Sequence, residues 1–126
     1  MSVNAVGWFE IYVNDMNRAK AFYEKVFTQE LAPLHNATDS DLEMWSFVGE
    51  MNQYGAPGAL VKMEGCKAGG ANVIVYFSCQ DCSVEESRAV EAGGKVFKSK
   101  FSIGEYGHIA LIEDTEGNMI GLHSLQ

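Results

Sequence analysis

Residues 8–27, WFEIYVNDMNRAKAFYEKVF, pass from a strand pattern through an aspartate into a helix pattern, and residues 74–94, IVYFSCQDCSVEESRAVEAGG, do the same about half a chain later. In each stretch apolar residues first alternate with the two-residue period of a strand, then recur at the 3.6-residue period of a helix. Asp15 and Asp81 stand where the pattern changes, the position at which a helix wants an N-cap. A repeat of half the chain length predicts two similar modules that pair their sheets around a shared space. Such a space is a natural ligand site.

Working outward, Val6 to Val13 predicts the first strand, and Ala19, Phe22, Tyr23 and Val26 mark the apolar stripe of the first helix. Phe27 to Leu34 and Met44 to Val48 predict two more strands, joined by the polar stretch His35 to Asp41. Residues 52–58, NQYGAPG, predict a loop, Ala59 to Met63 a fourth strand, and Glu64 to Gly70 a glycine-rich linker. The second half opens with a strand over Asn72 to Cys79. Asp81 or Ser83 can cap the helix that follows, Ser83 with Glu86 fitting a capping box, and Gly93-Gly94 ends it. Val96 to Ser99, His108 to Glu113 and Asn118 to Leu122 complete the strands. The last two are joined by a turn over Asp114 to Asn118 that places Gly117 in the left-handed region. The order is βαβββ, linker, βαβββ: a single α+β domain over residues 1–126, with modules of about 5–64 and 71–126 and a linker of about 65–70.

With 47% apolar residues and 2 prolines the chain is globular rather than disordered. Its mass predicts roughly 6,600 Å² of exposed surface. Nine basic residues against 17 acidic ones leave a net charge of −8, which disfavours nucleic acid or an anionic membrane surface as a partner. No apolar run approaches the ~18–20 residues of a membrane span, and the first residues lack the basic-then-apolar pattern of a secretory signal. Three cysteines, an odd number, fit a reducing compartment better than a disulfide framework, so a cytoplasmic location is expected.

Three stretches occur in order along this repeated frame: Val13-Asn-Asp15 leading to Ala21-Phe22-Tyr23, then Ala92-Gly-Gly94-Lys-Val96, then Glu113-Asp-Thr-Glu-Gly-Asn118-Met-Ile120. The combination resembles the vicinal oxygen chelate superfamily, which includes glyoxalase I, bleomycin-resistance proteins and extradiol dioxygenases. The resemblance implies two βαβββ modules forming an open, U-shaped mixed sheet around a cleft, often completed as a homodimer. It does not by itself imply a chemistry. In metal-dependent members, four strand residues, mostly histidine and glutamate, hold a divalent ion. The matching positions here carry Trp8, Ile74 and Gly121, and residues 57–63 contain no His, Asp or Glu. None of these side chains suits such a cation. The usual metal site is absent, and no cofactor is expected.

Alternation places Trp8, Glu10 and Tyr12 on one face of their strand, as it does Ile74, Tyr76 and Ser78 on theirs, and Gly121 with His123. Two residues beyond each lost ligand position stand Glu10, Tyr76 and His123. A carboxylate, a phenol and an imidazole suit proton transfer and substrate orientation, with Glu10 as general base and His123 as acid or base. A relocated divalent metal held by Glu10 and His123 is a weaker alternative, since a catalytic zinc takes three protein ligands. Trp8, Tyr12, Ile74, Lys62, Tyr106 and Trp45 are candidate ligand contacts. Lys62 could meet an anion, Tyr106 sits in a loop placed to close over a ligand, and Trp45 and Phe47 with Met44, Met51 and Met63 could line an apolar pocket. Each has an ordinary reading as well. Glu10 can face water, Tyr76 can be core, and His123 can be frayed near the terminus.

Cys79-Gln-Asp-Cys82 has redox-motif spacing but runs from a strand end into a helix start, and only Cys66 remains as a further thiol. His35 and His108 are isolated. The residues therefore admit three functions: a metal-independent lyase or isomerase acting on a small organic molecule, a non-catalytic protein that sequesters such a molecule, or a metal-dependent glyoxalase or dioxygenase with a relocated site. A small-molecule ligand and a homodimeric partner are expected in each case.

Overall fold

The computed structural model describes residues 4–34, 42–50, 52–69 and 73–126. The expected loop His35 to Asp41, together with Met51 and Asn72, lies outside these. Among the described residues, eight strands and two helices follow one another as β1 (Val6–Tyr12), α1 (Met16–Phe27), β2 (Ala32–Pro33), β3 (Glu43–Ser46), β4 (Gly58–Lys62), β5 (Val73–Ser78), α2 (Cys82–Glu91), β6 (Lys95–Ser102), a 3-10 turn (Gly104–Tyr106), β7 (His108–Glu113) and β8 (Met119–Ser124). This is the twice-repeated βαβββ order. The chain forms two compact units, one of Phe9–Val73 and one of Met1–Trp8 with Ile74–Gln126.

In the Phe9–Val73 unit the strand order is β2-β3-β4-β1. β1 and β4 run parallel, with Glu10 opposite Ala59 and Tyr12 opposite Val61. β3 is antiparallel to β4, and Trp45 faces Leu60. Asp15 caps α1, its carboxylate accepting the Arg18 N–H at 3.0 Å. The helix closes on Thr28 in the left-handed region at φ 54°. Helical periodicity thus runs through Phe27, and the strand expected over Phe27 to Leu34 shrinks to Ala32–Pro33, where Pro33 has no N–H to extend a ladder. Val13, Met16, Leu31 and Leu60 form the core under α1, with Ile11, Tyr23, Trp45 and Phe47 packed against them.

In the other unit the order is β5-β8-β7-β6. The Ser78 N–H donates to the Ala5 carbonyl at 2.9 Å, which ties the N-terminal segment to β5. Asp81 caps α2, accepting both the Ser83 N–H at 3.0 Å and the Ser83 hydroxyl at 2.8 Å. The expected Ser83/Glu86 capping box does not form, because Glu86 reaches instead to the Ser99 hydroxyl and the Lys100 N–H. Those contacts accompany a β6 that is longer than the expected Val96 to Ser99 and carries register shifts against β7. Gly93 terminates the helix at φ 101°, and Gly117 takes φ 85° in the β7–β8 turn. Cys82, Ala110, Ile112 and Leu122 make the core beneath α2. All three cysteines are free thiols. Among the described residues no helix is long and apolar enough to cross a membrane.

Candidate functional site

Leu60 faces α1, so alternation sends its neighbours Ala59 and Val61 to the opposite face of β4, and the register puts Glu10 and Tyr12 beside them. There the Tyr12 hydroxyl donates to Glu10 Oε1 at 2.9 Å in a part-buried setting. Burial, and after it the adjacent Glu10 carboxylate, push the Tyr12 phenol far above its ordinary range. Tyr12 is therefore a permanent donor that fixes the direction of the Glu10 carboxylate. The i,i+2 spacing Glu10-x-Tyr12 was legible as a shared face. That the two bond each other depends on the register with β4.

Within the second unit, Tyr76 is opposite Gly121 and Ser78 opposite His123, on the face away from the Leu122–Ala110 core. Tyr76 is 5% exposed. Its ring lies on Gly121 so closely that a Cβ there would come within 2.2 Å of a ring carbon. An aromatic ring thus occupies the space that an acidic side chain would need at position 121. His123 Nε2 lies 2.6 Å from the Tyr106 carbonyl oxygen. A carbonyl only accepts, so Nε2 carries the proton and is not available to a cation. Among the described residues no group of three or more His, Cys, Asp or Glu could hold a metal ion. Among the described residues the side chains at this face, Tyr76, Gly121 and a His123 that donates from Nε2, do not offer a donor set for a divalent ion.

The remaining candidates are distributed as follows. Ile74 shares the parity of Tyr76. A Cβ on Gly7 would meet the Ser78 hydroxyl, so β1 passes close to β5 at this point. Trp45 and Lys62 fall on the α1 side of their sheet, away from Glu10, because β3 and β4 pair Trp45 with Leu60 and Glu43 with Lys62. Trp45 there receives the Lys20 ammonium 3.3 Å from its ring centroid and donates to Glu43 at 3.1 Å. Tyr106 engages through its main-chain carbonyl, and its side chain is exposed. Cys79 is pushed up to about 11 by burial and by Glu85, which keeps it a protonated thiol at neutral pH.

An apolar pocket does form at Phe47, but with partners other than Trp45, Met44 and Met63. Phe9, Ile11, Tyr23, Phe27, Phe47 and Pro57 line an open cavity of about 400 Å³ in the Phe9–Val73 unit. Phe47 packs edge-on to Tyr23 and tilted against Phe9, both at 5.7 Å between centroids. The signal was the Phe9-x-Ile11 alternation, which reads equally as core.

The fold is that of the glyoxalase/bleomycin resistance/dihydroxybiphenyl dioxygenase class. No family model matches the sequence, and no curated protein matches it. Solved structures do match in fold. A hypothetical protein from Bacillus halodurans has a TM-score of 0.75 at 9% identity, covering 99% of this chain and 96% of that one. Methylmalonyl-CoA epimerase from Mycobacterium tuberculosis has a TM-score of 0.68 at 12% identity, covering 98% and 89%. A Streptomyces coelicolor methylmalonyl-CoA epimerase in complex with 2-nitronate-propionyl-CoA has a TM-score of 0.67 at 14% identity, covering 98% of each chain. At these identities the likeness is one of fold.

Proposed function

We propose that this protein binds a small organic molecule and moves a proton on it without a metal ion, as a lyase or isomerase. Glu10 is the proton acceptor and Tyr12 its positioning residue; His123, in the other unit, is read separately as an acid–base group. The observation that carries the reading is the Tyr12–Glu10 hydrogen bond, a carboxylate oriented by a phenol that stays protonated. In the step itself a C–H bond of the substrate, next to a carbonyl, breaks. The proton goes to a Glu10 oxygen and the electron pair stays on the substrate, to be reprotonated from the same or the other side. An epimerase among the proteins of like fold supports this class of reaction. Tyr12→Phe keeps the ring and removes the donor. A hydrogen bond to a charged group is worth about 1.5–3 kcal/mol, so turnover should fall roughly 10- to 100-fold with little change in binding. Unchanged turnover in Tyr12→Phe would show that Glu10 is not the working group.

The aromatic cavity favours a second reading, in which the protein only sequesters an aromatic compound. In that case Phe47→Ala abolishes binding, and Glu10→Gln has no turnover to reduce.

We further propose a homodimer. Phe22, Val26 and Phe27 on α1 are 59%, 53% and 58% exposed, an apolar stripe that a second copy would cover.

A further inference from the structure

We infer that the Ile103–Gly107 turn is a positioning element for His123: the Tyr106 carbonyl holds Nε2 as the protonated nitrogen and leaves Nδ1 as the atom that exchanges a proton with the ligand. The inference rests on the reading of His123 as an acid–base group and specifies which of its two nitrogens works.

A neutral imidazole has one donor and one acceptor nitrogen, and the hydrogen bond made by one decides the role of the other. Here Nε2 is 2.6 Å from an oxygen that can only accept. Among the described residues nothing hydrogen-bonds Nδ1, and Nδ1 is not among the buried unpartnered atoms. Its lone pair is left for solvent or a ligand.

The carbonyl is held in place by the turn. Ile103 N–H donates to the Gly107 carbonyl at 2.8 Å, Gly107 N–H to the Gly104 carbonyl at 3.2 Å, and the Ser102 hydroxyl accepts the Gly104 N–H at 3.2 Å. Gly107 has φ 102°, which favours glycine, and a Cβ there would meet the Ser124 carbonyl oxygen and come within 2.9 Å of Leu125 Cα. A residue without a side chain is what lets the turn seat on the end of β8, next to His123. The requirement at 107 is thus for the close approach that brings Tyr106 to the imidazole.

The test uses the full chain, labelled with ¹⁵N-histidine and studied by NMR at a pH where the ring is neutral. Signals are assigned by their loss in His123→Gln. The expected result is a single tautomer with the proton on Nε2, and a downfield ring N–H resonance that exchanges slowly with water. In Gly107→Ala that resonance should disappear and the ring should return to the mixed tautomers of an unconstrained imidazole. A wild-type ring that mixes tautomers, or carries its proton on Nδ1, overturns the inference. So does a folded Gly107→Ala protein whose Nε2–H resonance is unchanged. Should Gly107→Ala not fold, the wild-type spectrum decides alone. No substrate is involved, so failure here leaves Glu10 untouched, and failure of Glu10 in turnover leaves the tautomer standing.

Discussion

At the scale of single residues, two aromatic side chains act in different ways. Tyr12 orients a carboxylate, whereas Tyr76 fills space above Gly121. Because the Tyr76 ring sits on the Gly121 backbone, even one methyl group there must displace a ring that is 5% exposed. Gly121→Ala should therefore destabilise the protein by about 1–3 kcal/mol, the ordinary cost of overpacking a filled site. Urea unfolding measures it, and an unchanged midpoint would mean that the ring moves aside freely. Leu60→Ala, at a fully buried core position, should cost ~2–5 kcal/mol by cavity formation. The faces of Glu10, Tyr12, Tyr76 and His123 could be read from strand alternation. Their bonding partners could not, because each partner is set by register or by a distant turn. Tyr106 lies 17 residues from His123, and no local pattern announces that its carbonyl meets the ring.

At the scale of elements, the start of α2 depends on one charged knot. Asp81 caps the helix through Ser83 and also meets the Lys100 ammonium at 2.9 Å, joining α2 to β6. Lys100 first, then Ser83, draw its carboxyl down to about 2, below the ordinary 3.8. A carboxylate whose pKa is depressed by folding contributes stability above its unfolded pKa and loses it as pH falls through the folded one. Wild-type protein should thus exceed Asp81→Asn in thermal stability at pH 7, with the gap closing between about pH 4 and pH 2. A gap that persists at pH 2 would place the effect in packing rather than charge. Both helix starts were legible from Asp15 and Asp81, since a cap is a local interaction. The ends of β2 and β6 were not. β2 gave way to a helix that continued to Phe27, and β6 is extended by pairing with β7 and by Glu86.

At the scale of the whole molecule, the repeat could be read because each βαβββ order is carried by local periodicity and helix caps. The ligand could not, because no local pattern in the sequence specifies one. The homodimer is a claim at this scale. Light scattering at micromolar concentration should report twice the 13.8 kDa chain mass, and Phe22→Asp should return it to a monomer. A wild-type monomer would contradict it. Metal independence is a second claim, and elemental analysis of untagged protein should find no stoichiometric zinc, nickel, iron or manganese. The central claim is that Glu10 moves a proton. Its most direct test is incorporation of deuterium from D₂O into methylmalonyl-CoA and other carbonyl compounds with an acidic C–H, read by mass spectrometry for wild type and Glu10→Gln. The account predicts exchange by the wild type on at least one such compound, reduced ~10²–10⁴-fold in Glu10→Gln while the compound still binds. Equal exchange by the two proteins, or binding with no exchange by either, would contradict it.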